Sequence, residues 1–319
     1  MTPGDALPTT RAADLASAPE DARWLIDRVW SSGVGIIGGL PKSAKSWLGL
    51  EMAISVASGT PLLARFQVHD PGPSLVYLAE DALPQVRERI AGICAHRRID
   101  LPSLNLHVIT TPAVRLDSLG DQKRLATTIE RLAPKLLVLD PLVRLHRIDE
   151  NSSGEMSNLL GYLRELQRRH SIAIVLVHHM SKRVRAHLGQ ALRGSGDLHA
   201  WVDHGAYLTR SGDKLRLTLE HRAAASPEPL ELRLVSRRDD TEAHLELAES
   251  PANTDDRPAT PAPELHDLVL DALRRAQRPL SRAELRARLR VNNNRLGDVI
   301  ADLERQARLV RSDAGLSLP

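Results

Sequence analysis

Residues 33–50, GVGIIGGLPKSAKSWLGL, constrain this chain more than any other stretch. Val34 to Ile37 is a short apolar run of the kind a buried strand makes. Gly38, Gly39 and Pro41 break it, and Trp47 to Ile54 resumes at helical spacing. Strand, glycine turn, Lys45-Ser46, helix is the phosphate-loop arrangement, whose G-x-x-x-x-G-K-[ST] template reads GLPKSAKS from Gly39 to Ser46. The loop residues Gly39, Leu40, Pro41, Lys42, Ser43 and Ala44, and the helix opening at Lys45-Ser46-Trp47, would surround phosphate oxygens, every one of them except Pro41 offering a backbone N–H. Lys45 would reach the β- and γ-phosphates of ATP, and the Ser46 hydroxyl would ligate Mg²⁺. Ala44 stands where the template has its second glycine. At positive φ its Cβ would cost about 1–2 kcal/mol; at negative φ alanine is tolerated. Taken alone, GLPKSAKS could also be a chance Ser/Lys-rich turn.

The 319 residues suffice for one large α/β domain and a small module, or for two medium domains. Aromatics, at 3%, are too few for a base-stacking platform. The net charge of +3 permits a nucleic-acid partner without requiring one. Cys94 is the only cysteine, which excludes an intrachain disulfide and a cysteine metal site. No signal-type apolar segment or membrane-length run is present, so a cytoplasmic protein with no membrane partner is expected.

Residues 1–21 read as a flexible leader, and Trp24-Leu25-Ile26 as the start of order at the edge of the core. Strands and helices then alternate. Strands are expected at Ser74–Ala79, Leu104–Ile109, Leu136–Leu139 and Ile172–Val177. Helices are expected at Leu83–His96, Gln122–Leu132 and Glu155–His170. Buried strands alternating with such helices predict a mainly parallel, doubly wound α/β sheet. After Gly205 the pattern changes to apolar–polar alternation around turns, which predicts antiparallel strands finishing one edge up to residue 248. Residues 249–263 are a Pro/Ala/Asp linker. In 264–319 a helix from Glu264 to Ala276, a capping box at Ser281-Arg282-Ala283-Glu284 opening a second helix, a third from Asn293 to Arg305, and a hairpin around Asp313-Ala314-Gly315 predict a winged helix-turn-helix domain.

Nucleotide sites in parallel sheets form at the carboxyl ends of strands. Four ends supply suitable groups: Lys45 and Ser46 after the first strand, Glu80 and Asp81 after VYLA, Asp140 after LLVL, and His178 and His179 after IAIVLV. Asp140 suits Mg²⁺ coordination and Glu80 suits activation of water. Singly, Glu80-Asp81 could cap the next helix, Asp140 before Pro141 could be a turn residue, and the histidines could be structural. With no third ligand nearby in sequence, zinc on the histidine pair is disfavoured. Together, four strand ends of this kind point to an ATPase.

GGLPKSAKSWLGLEMA, VYLAEDALPQVRER, LLVLDPLVRLHRIDENSSGEM, IVLVHHMSK and LRGSGDL occur in the order of the RepA-like ATPases, which the chain resembles over roughly residues 22–247. These belong to the RecA/DnaB superfamily and include a plasmid-encoded hexameric replicative helicase. The resemblance implies a RecA-like P-loop fold, ATP and Mg²⁺, a homo-oligomer of hexameric type, and single-stranded DNA in its ring. It implies that Glu80 is the catalytic base, Asp140 the Walker B carboxylate, and His179 the γ-phosphate sensor with His178 beside it. It further implies that Arg89 reports on bound nucleotide. The family's trans-acting arginine falls on Asp203 here, so Arg193, Arg210 or Arg222 would have to serve.

Asn292, Asn293, Asn294 and Arg295 open the candidate recognition helix and suit base edges and phosphates, although a winged helix can equally dock on protein. Three functions follow: an ATP-driven replicative helicase or DNA motor, an ATP-switched DNA-binding protein with slow turnover, or a RecA-type recombination mediator.

Overall fold

A computed structural model describes residues 7, 9–15, 23–150, 152–180, 189, 192, 197–212, 214–236, 243–248, 265–276, 278–289, 293–306, 308–312 and 315–318, apart from the side chains at 197, 265, 267, 287, 293–295, 298, 301 and 311. The chain divides into two units, Met1–Ser250 and Pro251–Pro319. The expected linker at 249–263 lies outside the described residues, as do much of the leader and the turn residues Asp313 and Ala314.

In the first unit, β1 (Trp24–Ile26) and β2 (Trp30–Ser31) form a small antiparallel pair. Their side chains Leu25, Ile26 and Trp30 are buried in the core beneath them. Among the described residues the main sheet has nine strands, in the order β11-β10-β9-β8-β3-β7-β6-β4-β5. Its parallel part comprises β3 (Val34–Gly39), β4 (Ser74–Leu78), β5 (Leu106–Val108), β6 (Leu136–Asp140), β7 (Ala173–His179) and β8 (His204–Ser211). Strands β9 (Lys214–His221), β10 (Leu230–Val235) and β11 (His244–Leu247) continue it antiparallel from β8.

The central strands read as unbroken apolar runs because both faces are covered. Ile37, Val76, Val138 and Val175 point to one side, toward α1 (Lys45–Ser58) and α2 (Leu83–Arg97). Their neighbours Ile36, Leu75, Leu137 and Ile174 point to the other, toward α3 (Leu119–Leu132) and α4 (Ser153–His170). A short helix, α5 (Asp197–Trp201), precedes β8. On β9 the burial alternates, with Leu215, Leu217 and Leu219 inward, as expected of a strand solvated on one face.

Several extents differ from expectation: β3 continues through Gly38 and Gly39, and α3 and α4 begin a few residues earlier, at Leu119 and Ser153. Strand β7 runs on through both histidines, because β3 pairs with it as far as Gly39–His179. Strand β5 is shorter than Leu104–Ile109, because Leu101–Ser103 forms a 3-10 turn ahead of it.

The second unit has α6 (Leu265–Ala276), α7 (Arg282–Leu289), α8 (Asn293–Arg305) and the antiparallel pair β12 (Val310–Ser312) and β13 (Gly315–Ser317). Val269, Leu273, Leu285, Leu296, Ile300 and Leu316 share its core. The capping box is formed at α7: Ser281 N–H donates to Glu284 Oε2 at 2.8 Å, and Glu284 N–H to Ser281 Oγ at 3.2 Å. Among the described residues no helix is long and apolar enough to cross a membrane.

Candidate functional site

The glycine-rich turn leaves β3 and enters α1 through a loop closed on itself. The Leu40 carbonyl accepts from Ser43 Oγ at 2.8 Å, Ser43 N–H at 3.3 Å and Lys45 Nζ at 2.8 Å. Gly39 is required at the turn, since a Cβ there would run into Ser43 Oγ and lie 2.7 Å from the Leu208 carbonyl of β8. Ala44 has φ 64° and ψ 25°, the left-handed conformation, so the alanine carries the strain the template's glycine avoids. Lys42 is left-handed as well, at φ 64°.

Beside the loop opens a cleft of about 450 Å³. It is lined by the loop from Pro41 to Trp47, by Glu80, Arg89, Asp140 and His179 from other elements, and by Pro141, Arg210 and Leu234. Four parallel strands thus deliver their C-terminal residues to one place, as the sheet order dictates. Glu80 does not cap α2, whose N-cap is Ala82. It is paired with Arg144 Nε at 2.8 Å, and Asp81 with Arg89 Nη1 at 2.5 Å. The Arg89 guanidinium lies 5.4 Å from the Trp47 ring centroid.

The two most buried ionisable groups of the cleft are Lys45 and Asp140, each 6% exposed. Burial pulls the Lys45 pKa down against the opposing pull of Asp140 and Glu80. Burial pushes Asp140 up to about 6; a hydrogen bond from Ser46 and the Lys45 charge work against it, and Asp81 and Glu80 add to it. Ser46 and Asp140 line the same cleft and present two hard oxygen donors to it, the donor type Mg²⁺ takes.

The histidine pair is split by the pleat. His179 faces the cleft, whereas His178 is buried, with Nδ1 3.9 Å from Glu150 Oε1, near which His146 Nε2 also lies at 3.6 Å. His178, expected at the nucleotide site, is not among the residues that line this cleft, because alternate strand residues face opposite sides. Asp203 and Arg222 sit at the other end of the sheet, where Asp203 N–H donates to the Val34 carbonyl and accepts Arg222 N–H on its own carbonyl. Arg222 Nη1 is 3.3 Å from Asp203 Oδ1, so within this chain it is remote from the phosphate loop. Arg193 and Asn292 lie outside the described residues, as do the side chains of Asn293, Asn294 and Arg295.

Arg210 reaches the phosphate loop of the same chain, donating Nη1 to the Lys42 carbonyl at 3.2 Å. Leu234 and Arg144 were not anticipated. Only the pairing of β8 with β3, and of β10 with β9, carries Arg210 and Leu234 to the cleft, and no local motif announces that.

Residues 3–185 match the family described as AAA domain. Among solved structures, the RadB recombinase is similar with a TM-score of 0.50 and 15% identity, over 69% of this chain and 93% of that one. A DnaB-like replicative helicase, solved to show its interactions with primase, is similar with a TM-score of 0.50 and 15% identity, over 66% of this chain. This chain spans 57% of that helicase. At such identities the likeness is one of fold.

Proposed function

Since this chain belongs to the AAA domain family and has the fold of a RecA-like P-loop ATPase, we propose that it is a Mg²⁺-dependent ATP hydrolase acting on DNA, most simply a RepA-like hexameric helicase or motor. One observation carries this reading: Lys45, Ser46, Glu80, Asp140 and His179 converge on a single cleft at the carboxyl edge of the sheet.

In this reading Lys45 exchanges the Leu40 carbonyl for the β- and γ-phosphates, and the loop N–H groups hold the remaining oxygens. Ser46 and Asp140 would hold Mg²⁺, which when bound neutralises charge between those phosphates. Glu80 positions and deprotonates the attacking water, for which it must part from Arg144. His179 registers the γ-phosphate at the end of β7. Arg89 and Arg210 add positive charge in the same subunit. Arg193 or Arg222 would act from a neighbouring subunit.

Residues 264–319 are proposed as a winged helix-turn-helix domain, following a linker at 249–263 and the ATPase domain at 22–248. Asn292, Asn293, Asn294 and Arg295 would meet DNA there.

A second reading, an ATP-switched DNA-binding protein with slow turnover, is favoured by two specific features. These are the left-handed Ala44 and the engagement of Asp203, at the family's finger position, with Arg164 and Arg222. A missing finger is worth about 10³–10⁵ in rate.

Steady-state ATP hydrolysis with and without single-stranded DNA, beside Lys45→Ala, tests both. Strong DNA stimulation abolished by the substitution supports the motor. Tight ATP binding with little turnover, with or without DNA, overturns it in favour of the switch.

A further inference from the structure

A second polar cluster, independent of the nucleotide cleft, joins α2 to the edge strand β11. His96 lies in the last turn of α2. His244 and Glu246 stand two residues apart on β11 and so share a face. The two imidazoles stack with centroids 3.4 Å apart and 12° between their planes. Both direct Nε2 at one carboxylate oxygen, Glu246 Oε1, at 2.8 Å from His244 and 3.9 Å from His96. One ligand atom from each residue lies within 4.8 Å of the other two.

These separations are those of a metal's ligand shell. Zinc–nitrogen and zinc–oxygen bonds of about 2.0–2.2 Å in a tetrahedron place neighbouring ligand atoms about 3.3–3.5 Å apart. The observed 2.8 and 3.9 Å straddle that value, and the two stacked rings must tilt apart to aim both in-plane lone pairs at one ion. Arg233 Nη2, 4.0 Å from Glu246 Oε2, draws that oxygen aside and leaves Oε1 for the histidines. His96 and Glu246 also border a cleft of about 720 Å³, which gives a metal its entry path and room for water as a fourth ligand. Two imidazoles and one carboxylate suit zinc and its first-row neighbours, whereas Mg²⁺ prefers oxygen donors.

We propose that His96, His244 and Glu246 bind a divalent first-row transition metal, Zn²⁺ best of all, which fastens the edge strand β11 to helix α2. The sequence offers no hint of it, because the ligands are 148 residues apart, from His96 to His244.

The full chain, stripped with chelator and kept in excess Mg²⁺ to fill oxygen-donor sites, is titrated with Zn²⁺ by calorimetry. Co²⁺ is added in parallel and its visible absorption followed. One Zn²⁺ per chain is expected, with the strong visible bands of four-coordinate Co²⁺. In His96→Ala and Glu246→Gln, both partly exposed positions, Zn²⁺ binding should weaken at least about tenfold and the cobalt bands should disappear. Zn²⁺ should raise the melting temperature of the wild-type chain and leave His96→Ala unmoved. Absence of binding, or unchanged binding in a folded His96→Ala protein, would overturn the proposal. Circular dichroism establishes that each variant is folded, and no arm depends on ATP turnover.

Discussion

Asp203 grips Arg164 with both carboxylate oxygens, Nη1 to Oδ2 at 2.5 Å and Nη2 to Oδ1 at 3.2 Å, and Oδ2 also accepts the Val34 N–H at 3.1 Å. The contact ties α4 to the start of β3 and to the strand that begins at His204. Burial alone would raise the Asp203 pKa. The Arg164 hydrogen bond, the Val34 N–H and the Arg164 and Arg222 charges outweigh it and hold the carboxyl below its usual range. An acid with a lowered folded-state pKa stabilises the fold above its unfolded pKa and loses that contribution as pH falls through the folded value. Asp203→Asn should therefore unfold more easily at pH 7, by about 1–3 kcal/mol in urea titration. The difference from wild type should shrink as the pH falls below 3.8, the ordinary value for the group. Nucleotide affinity should be unchanged, since Val34 and the phosphate loop are at opposite ends of β3. Equal losses at pH 7 and pH 3 would show that the charge is not the cause.

Ala44 offers a substitution that should improve the protein. Its φ of 64° suits glycine, which pays no steric penalty there. Removing the Cβ relieves about 1–2 kcal/mol of local strain, offset by about 0.5–1 kcal/mol of added chain entropy in the unfolded state. Ala44→Gly should leave the melting temperature level or slightly raised and tighten ATP binding by up to about tenfold. A weakening of ATP binding in this variant would mean that the loop uses the alanine side chain, which packs against the core.

Much of this site could be read in advance because its parts are local. Glycines, Lys45 and Ser46 sit side by side, and the buried strands end within two residues of their apolar runs, β6 at Asp140 after LLVL and β7 at His179 after IAIVLV. Capping is equally local, and Ser281 with Glu284 formed the box their spacing implied. Partners that topology alone brings together were not visible. Arg144 lies 64 residues from Glu80, and the alternative in which Glu80-Asp81 cap α2 is not the one formed: Ala82 is the N-cap and both carboxylates pair with arginines. His178 and His179 are neighbours in sequence, so only the pleat of β7 tells which one meets the cleft.

Asp140 sets a pH dependence of opposite sign to that of Asp203. Burial raises its pKa from 3.8 to about 6, so the folded chain holds a proton that the unfolded chain has released. Stability from this group is full below pH 3.8 and is lost as the pH rises through about 6. Asp140→Asn removes the penalty, and a gain on the order of 1–3 kcal/mol is expected at pH 7, with none at pH 3. Part of the gain is cancelled because Lys45 loses a neighbouring charge. Mg²⁺-dependent ATP turnover should be lost in the same variant. Denaturant titration across this pH range is the check, and a variant less stable than wild type at pH 7 would contradict the burial argument.

Trp47 provides an optical readout of the cleft. It lies in the first turn of α1 beneath the Arg89 guanidinium, 5.4 Å from its ring centroid, and lines the same cleft as Lys45. The other tryptophans are elsewhere: Trp24 and Trp30 pack against His204 at the far end of the sheet, and Trp201 packs against Arg164. Phosphates drawn to Lys45 and Arg89 would change the field on one indole and leave three unchanged, out of four in the chain. Adding ATP with Mg²⁺ should therefore shift the tryptophan emission saturably. Trp47→Phe should abolish the shift while retaining hydrolysis. Lys45→Ala should move the titration to at least about tenfold higher ATP, the equivalent of about 1.4 kcal/mol. A signal that persists in Trp47→Phe would place the responding indole outside the cleft and remove this support for the nucleotide site.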